Sequence, residues 1–337
     1  MRRALLLPVL AAGCGSQYDA LSPAGPAARK LADLGWPILL FFVATSAVMW
    51  ALLLWVALRK TGTLAEHAPH DASGGKGWVT LGGFAIPGIA FAAVFVATLR
   101  TLNAFPVDHH HHGAQTLSGG APEIRVVGHQ WWWEVQYLAG ELNQFFVTAN
   151  EIHIPAGRPI DLELVSPDVI HSLWAPRLHG KVDLIPGMRN SIRLQADEPG
   201  TYPGACAEFC GLQHAHMLFK VVADPPADYE RWLAHERTAA AEPRSDEARR
   251  GKEVFLRGPC ELCHAVRGTA ARGTVGPDLT HLAARSTIAG FLPRDLANLH
   301  AWVVNAPSLK PGTQMPALNQ FSGEELHELV AYLQSLQ

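Results

Sequence analysis

The stretch CAEFCGLQHAHM, residues 206–217, carries two thiols, two imidazoles and a thioether within twelve residues. Soft sulfur ligands combined with imidazole select copper over magnesium, calcium or manganese. Cys206 and Cys210 are four positions apart, so on a loop folded around metal both sulfurs could bridge a pair of copper ions. His214 and Met217 follow at a spacing that could reach the same ions. These residue types predict a copper centre on this loop.

A pair of copper ions needs a second imidazole, and two histidines are candidates. His171 lies at a turn in SPDVIHSLWAP, as a distant loop residue of a β-barrel site should. His216 is the neighbour of Met217 and is expected to point elsewhere. We therefore favour His171. A disulfide between Cys206 and Cys210 is the structural alternative, because spacing alone does not exclude it in an oxidising compartment.

A second motif, CELCH at residues 260–264, has the spacing that attaches a haem. Cys260 and Cys263 would form the two thioethers, and His264 would ligate the iron. A redox dithiol or half of a zinc site could also use CxxC, but neither explains the adjacent histidine, and there is no second CxxC for zinc. Met315 is the only methionine after residue 245, and methionine often supplies the sixth iron ligand.

The hydrophobic pattern indicates three kinds of structure along the chain. Apolar runs at 36–58 and 78–99 contain no charged residue, and each could cross ~30 Å of hydrocarbon as a helix. A pair of buried helices in a soluble protein is the alternative. Residues 123–224 alternate short β-rich runs with turn signals, which predicts an all-β sandwich or barrel. A polar, Ala-rich connector follows, and then small helices, the last opening with a Ser322–Glu325 capping box.

The composition and the first residues of the chain indicate its cellular location. Hydrophobic residues make up 48% and charged residues 17% of the chain, which favours a membrane protein, and a net charge of −3 gives no reason to expect nucleic acid. The N-terminal MRRALLLPVLAAGC has a signal-peptide layout and resembles a bacterial lipoprotein site with Cys14 as the acylated residue. An uncleaved anchor with an idle cysteine is the alternative. The histidine run 109–112 could bind metal or form a solvated loop.

Four segments together resemble subunit II of cytochrome c oxidase, from about residue 31 to 224: CAEFCGLQHAHM, SPDVIHSLWAP, KVDLIPG and GHQWWWEVQY. From about residue 245 the chain resembles a class I c-type cytochrome, so the whole is similar to the fused, caa-type oxidases of bacteria. The resemblance implies two transmembrane α-helices, an all-β cupredoxin domain (a Greek-key β-barrel) and a small all-α cytochrome c domain. The expected divisions are a signal peptide at 1–13, a membrane hairpin segment at 14–104, a copper domain at 105–224, a linker at 225–244 and a cytochrome domain at 245–337.

The resemblance also implies roles for single residues. A binuclear copper A centre would be held by the side chains of His171, Cys206, Cys210, His214 and Met217 and by the backbone carbonyl of Glu208. The Glu208 side chain would face a magnesium ion shared with subunit I. Trp131 would mark where electrons enter the copper domain, with barrel core as the alternative for the tryptophan run.

In the cytochrome unit, the resemblance assigns the GPxL segment of Gly276, Pro277 and Leu279 to the proximal side, with the Pro277 carbonyl holding the second ring nitrogen of His264. The first and last helices would pack through Gly251, Phe255, Leu329 and Tyr332. Thr80 stands where many members carry a glutamate at the entrance of a proton path, so this chain departs from the pattern there.

The function implied is electron transfer in the bacterial inner membrane, with both soluble domains on the periplasmic face. Haem c would accept electrons and pass them through copper A to a haem-copper subunit I that reduces oxygen to water with proton translocation. Donors would be a soluble or membrane cytochrome c or the quinol-cytochrome c reductase, and the chain would contact membrane lipid. The alternatives are a copper A nitric oxide reductase, or a membrane-tethered electron carrier or copper-delivery module without a catalytic partner.

Overall fold

A computed structural model describes residues 18–59, 73–103, 122–138 and 144–337 of the chain. These residues form two compact units, one within 29–106 and one that combines the residues before 29 with those after 106. The signal peptide predicted at 1–13, the acylation predicted at Cys14 and the histidine run 109–112 lie outside the described residues. Those three assignments therefore stay predictions.

Two long apolar helices are present where the two membrane spans were predicted. They run over Pro26–Leu58 and Gly75–Asn103, with mean hydropathies of 2.3 and 2.1 in their most apolar windows. The described part of the chain buries no residue of those windows. The core helices of a soluble protein would instead be mostly buried. The first helix begins before its predicted run and ends with it at Leu58, whereas the second extends past its predicted run at both ends. We call the first helix α1 (Pro26–Leu58).

The second span contains a proline and is built from three pieces. They are α2 (Ser73–Thr80), a π-helical turn (Leu81–Ala85) and α3 (Ile86–Asn103). Pro87 has no N–H to donate, and its ring would clash with the carbonyl of Gly83 in a regular α-helix. The wider π turn lies at that point, and such turns occur as insertions within α-helices. The span therefore continues through Gly82, Gly83 and Pro87.

Ten strands form two five-stranded sheets that enclose the core of the copper domain. In order they are Ile124–His129, Trp132–Tyr137, Phe146–Ala149, Glu151–Pro155, Ile160–Val165, His171–Trp174, Val182–Leu184, Asn190–Leu194, Gly200–Cys206 and Leu218–Asp224, labelled β1 to β10. One sheet has the order β3-β2-β1-β5-β8 and the other β4-β10-β9-β6-β7. Strand β1 runs parallel to β5 and β4 parallel to β10, while the other pairs are antiparallel.

The alternation of side chains explains how these strands close on one core. In β1, Ile124 and Val126 are fully buried, and the residues between them are not. Strand β2 has the opposite phase, so Trp133 and Val135 point inward. A period of two puts every second residue on the same face of a strand. The sandwich predicted from the sequence is therefore the fold observed, and its core lies directly beneath the β9–β10 loop.

The segment expected as a polar linker, 225–244, contains a helix. Helix α4 (Pro226–Glu236) begins with proline in its first turn and buries Tyr229 and Leu233 against the barrel core. Trp232 stacks on His153 of β4, with ring centroids 4.0 Å apart. These apolar residues recur at helical spacing, three and four positions apart. The connector is thus partly an extension of the copper domain.

The C-terminal part of the chain forms the expected small helical domain. Its helices are α5 (Asp246–Arg257), α6 (Cys260–Cys263), α7 (Leu296–Leu309) and α8 (Gly323–Ser335), with a short hairpin of β11 (Thr287–Ile288) and β12 (Leu292–Pro293). The predicted capping box at the start of α8 is confirmed, with Ser322 and Glu325 bonded reciprocally. Helices α5 and α8 cross in contact, and Phe255 meets Tyr332 edge to face at 5.6 Å.

The crossing of α5 and α8 depends on a glycine. A Cβ atom on Gly251 would lie 1.9 Å from the Glu328 carbonyl oxygen, so the backbones would have to separate. We expect Gly251→Ala to lower the free energy of unfolding of the cytochrome domain by about 1–3 kcal/mol, the usual cost of overpacking. Denaturant titration followed by haem absorbance measures this. Gly323→Ala is the matched control, because a Cβ there meets no atom within 4 Å. Equal stability of the two variants would contradict the packing role.

Candidate metal and haem centres

The β9–β10 loop is closed at its base by the two strands that carry it. Strand β9 ends at Cys206, β10 begins at Leu218, and the Cys206 amide donates to the Met217 carbonyl at 3.0 Å. A 3-10 turn over His214–His216 folds the loop back on itself. Both ends of the motif are therefore fixed by the sheet, and the sulfur and imidazole groups between them are brought to one place.

Five predicted ligands come together above the core. The Sγ atoms of Cys206 and Cys210 are 3.8 Å apart, and His171 Nδ1 lies 4.0 Å from Cys206 Sγ. Cys210 Sγ is 3.6 Å from His214 Nδ1 and 3.7 Å from Met217 Sδ. A disulfide needs about 2.05 Å between its sulfurs, so the disulfide alternative does not describe this arrangement. Both cysteines are free, and His171, Cys206 and Cys210 form a cluster able to hold a metal ion.

The contacts within this cluster favour a thiolate at Cys206. The contact with the Cys210 thiol, and after it the hydrogen bond with His171, lower the pKa of Cys206, while the same contact raises the pKa of Cys210. Burial alone would lower the pKa of His171, but its hydrogen bonds with Cys206 and Asp168 raise it. The thiolate is the form that ligates metal.

Asp168 is a residue of the site that the sequence reasoning missed. Its Oδ1 atom lies 2.8 Å from His171 Nε2, on the side of the ring facing away from Cys206, and its Oδ2 accepts from the Gln130 amide at 2.7 Å. A ligating histidine is commonly oriented by a carboxylate on its other nitrogen. An aspartate three positions before the histidine in SPDVIH was the available signal.

Two other predicted positions differ in their placement. The Glu208 carbonyl oxygen lies 3.2 Å from Cys206 Sγ, whereas its side chain is partly exposed and pairs with Lys181 at 3.2 Å. His216 lies outside the cluster, because its Nδ1 bonds with Gln213 at 2.7 Å and its ring stacks on Phe291 at 4.8 Å. The arrangement thus brings His171, and not His216, to the sulfurs.

The tryptophan run divides between the core and the rim. Trp133 is fully buried and meets the His171 ring edge to face at 6.1 Å, so the barrel-core interpretation applies to it. Trp132 stacks on His129 at 4.5 Å. Trp131 is partly buried at the rim, and its Nε1–H donates to the Cys210 carbonyl at 2.9 Å. Trp131 is therefore joined directly to the loop that carries the sulfurs.

The cytochrome domain positions the predicted haem residues around a second centre. His264 Nδ1 lies 2.8 Å from the Pro277 carbonyl, which leaves Nε2 free to face a metal. A Cβ on Gly276 would come within 2.6 Å of the His264 ring, so only glycine lets the proximal loop pack this closely. Burial lowers the pKa of His264, which favours the neutral imidazole that ligates iron.

A largely apolar pocket lies beside these residues. It is lined by Cys260, Cys263, His264 and Met315 of the cytochrome domain, and also by Trp131 and Trp132 of the barrel. Arg285 lines the same pocket with a buried Nε that has no hydrogen-bond partner among the described residues. A buried guanidinium in an apolar pocket fits the carboxylates that a haem carries. The donor set and the pocket therefore fit a haem attached through CELCH.

Comparison with known proteins agrees with both centres. Residues 123–223 match the family "Cytochrome C oxidase subunit II, periplasmic domain", and residues 248–337 match "Cytochrome c". Cytochrome c oxidase subunit 2 of Alkalihalophilus pseudofirmus is 33% identical over 98% of this chain and 94% of its own length. The chain belongs to the cytochrome c oxidase subunit 2 family. The Bacillus subtilis subunit 2 is 30% identical over 98% of this chain and 95% of its own.

Among solved structures, the periplasmic domain of subunit II of a Bradyrhizobium japonicum cytochrome oxidase is 26% identical over 34% of this chain and 93% of that one, with a TM-score of 0.32. Membership of the subunit 2 family implies association with subunit I of a haem-copper oxidase. The subunit II domain implies copper A, and the cytochrome domain implies haem c.

Proposed function

We propose that this chain receives electrons at its cytochrome domain and delivers them, through a binuclear copper A site, to an oxygen-reducing subunit I. The observation that carries the proposal is the position of Trp131, which lines the cytochrome pocket and donates to the Cys210 carbonyl of the copper loop. Haem c would supply a one-electron carrier and the copper pair a second. The chain's own part is to fix their ligands and to exclude water between them.

The copper ligands proposed are the five clustered side chains and the Glu208 carbonyl. Two cysteine sulfurs 3.8 Å apart, flanked by imidazoles and a thioether, would as thiolates be suited to bridging two soft metal ions. His171, oriented by Asp168, would complete the ligand set together with His214 and Met217. A rigid β-sheet framework limits ligand movement when the site changes charge, which suits rapid electron transfer.

We also propose that the Glu208 side chain contributes to a magnesium site shared with subunit I. A carboxylate is the hard oxygen ligand that magnesium prefers. The Glu208 side chain is 45% exposed and now pairs with Lys181. Its carbonyl lies against Cys206 while its carboxylate points outward, so one residue would contact both metals. The two apolar helices support a membrane-anchored chain. We propose that it lies in a bacterial inner membrane with both domains on the periplasmic face, and that a cytochrome c or the quinol-cytochrome c reductase is its donor.

Flash-induced electron injection in the assembled oxidase tests this route, with Trp131→Phe as the variant. Phenylalanine keeps an apolar ring but loses the indole N–H that bonds to Cys210, so transfer into the copper site should slow. Transfer from copper to subunit I should keep its normal rate. Trp132→Phe is the matched control, because Trp132 lines the same pocket but stacks on His129. Unchanged injection in Trp131→Phe would falsify the role of Trp131 as the point of electron transfer into the barrel.

A further inference from the structure

The cytochrome domain rests on the rim of the copper barrel through polar and stacked contacts. Gln213 Nε2 of the copper loop donates to the Pro311 carbonyl at 2.9 Å. The Ser286 amide of the cytochrome domain donates to Glu151 Oε1 at 2.8 Å. The two domains belong to one compact unit. The contacts involve both the β9–β10 loop and strand β4, so this face of the barrel is covered by the chain's own cytochrome domain.

Lys310 lies at the centre of this face. Lys310 is only 3% exposed. Its Nζ donates to two carbonyls of the barrel, that of Trp131 at 2.7 Å and that of His216 at 3.2 Å. The third acceptor is the Ala289 carbonyl of the cytochrome domain, at 3.1 Å. The Phe291 ring centroid is 5.3 Å away. Three N–H donors of one side chain thus meet three carbonyls from two domains.

The burial of Lys310 is unusual for a lysine. Among the described residues no carboxylate forms an ion pair with it, and a buried cation is costly unless hydrogen bonds compensate it. Burial lowers the pKa of Lys310 to about 8, so at neutral pH the amine keeps its proton and all three donors. An apolar side chain of the same length would leave three carbonyls without this partner.

The loop that begins at Lys310 connects the two centres. A Cβ on Gly312 would lie 3.1 Å from the Trp131 ring, so the ring packs directly on this loop. Gly211 of the copper loop approaches the same ring at 3.2 Å by the same measure. Met315, the predicted axial ligand, is three residues beyond Gly312. Trp131 therefore lies between the copper loop and the loop that carries Met315.

We infer that Lys310 is a positioning residue, which holds the 310–315 loop on Trp131 and keeps the cytochrome domain docked on the barrel. The inference rests on the proposed function for its meaning in electron transfer. That the Lys310 contacts keep the two domains together does not depend on the proposed function.

Hydrogen–deuterium exchange on the full-length protein tests this with Lys310→Met, which keeps the apolar stem and removes the donors. The Ser286 amide bonds across the interface, so its exchange should become roughly tenfold faster or more when the contact opens. Peptides from α8 should exchange as in the wild type. Lys252→Met is the control, because Lys252 forms an ion pair with Glu242 on the outside of the same domain. Unchanged exchange at Ser286 in Lys310→Met would overturn the inference.

A labelling experiment on the wild-type chain needs no variant and so does not depend on its folding. An amine-acylating reagent should modify Lys181, which is 47% exposed, at least tenfold faster than Lys310. Comparable labelling would show that the interface is open and would refute the positioning role. Failure of the proposed function would be seen differently, as absent copper or haem in metal analysis, whatever the exchange and labelling results.

Discussion

In the Cys206→Ser variant we expect the mixed-valence copper signal to disappear while the haem spectrum of the cytochrome domain stays intact. Cys206 is nearly buried at the end of β9 and lies within 4.0 Å of both Cys210 and His171. Serine fits the same space, but its hydroxyl is a hard, protonated ligand that cannot replace a bridging thiolate. The haem ligands belong to another domain and should be unaffected. Paramagnetic resonance and optical spectra of the purified complex measure both.

The matched control within the same loop is His216→Asn. His216 bonds to Gln213 and lies outside the ligand cluster, so this variant should keep the copper signal. Metal analysis of the wild-type chain purified without its partner subunits should give two coppers for each haem, because the two ligand sets are separate. Zinc, or one copper per haem, would contradict the binuclear assignment. Loss of both spectra in Cys206→Ser would indicate a folding defect and would count against the independence of the two centres.

The ligands themselves could be predicted from the sequence because their chemistry is local. The spacing of Cys206 and Cys210, and of Cys260 and Cys263, restricts the cofactor that each pair can bind before any fold is known. The hydrophobic runs of the membrane hairpin and the alternation of the strands are also local patterns, so the order of the domains follows from them. His171 required only a turn before a strand, and β6 begins at that residue.

The residues that join the centres could not be predicted in this way. Lys310 in a sequence is an ordinary surface charge, and its burial depends on carbonyls 94 and 179 positions away. Asp168 acts through the orientation of another side chain. Trp131, Trp132 and Trp133 look equivalent in sequence, yet a contact with Cys210, 79 positions distant, separates the first from the others. Helix α4 could not be recognised in the sequence because its apolar face is short and most of its other residues are polar.

Trp131 and its neighbour Gln130 are hydrogen-bonded to the copper loop. Its indole and the Gln130 side chain both donate to the Cys210 carbonyl, at 2.9 and 2.8 Å. The same short segment is bonded to Asp168 through the Gln130 amide. The residue that orients His171 therefore also fixes the turn that presents Trp131. A change at Asp168 should for this reason disturb both copper affinity and electron transfer, whereas a change at Trp131 should disturb only the second.

For Met315→Ala we expect the reduction potential of the haem to fall by on the order of 100 mV or more, since axial ligands set haem potentials over a wide range. Met315 and His264 line the same pocket, and the thioether favours reduced iron. Alanine removes the ligand at a partly exposed position, where the lost side-chain volume should cost less stability than it would in the core. Potentiometric titration followed by haem absorbance measures the shift in the full-length protein.

Met188→Ala is the control for a general effect of losing a methionine. Met188 lies in a turn of the barrel, where its amide bonds to the Ile185 carbonyl at 3.0 Å, and does not line the haem pocket. Its variant should keep the wild-type potential. Copper content should be normal in both variants, because Met217 is the methionine of the copper cluster. An unchanged potential in Met315→Ala would show that another group completes the iron coordination. The 310–315 loop would then link Trp131 to the wall of the pocket and not to the iron.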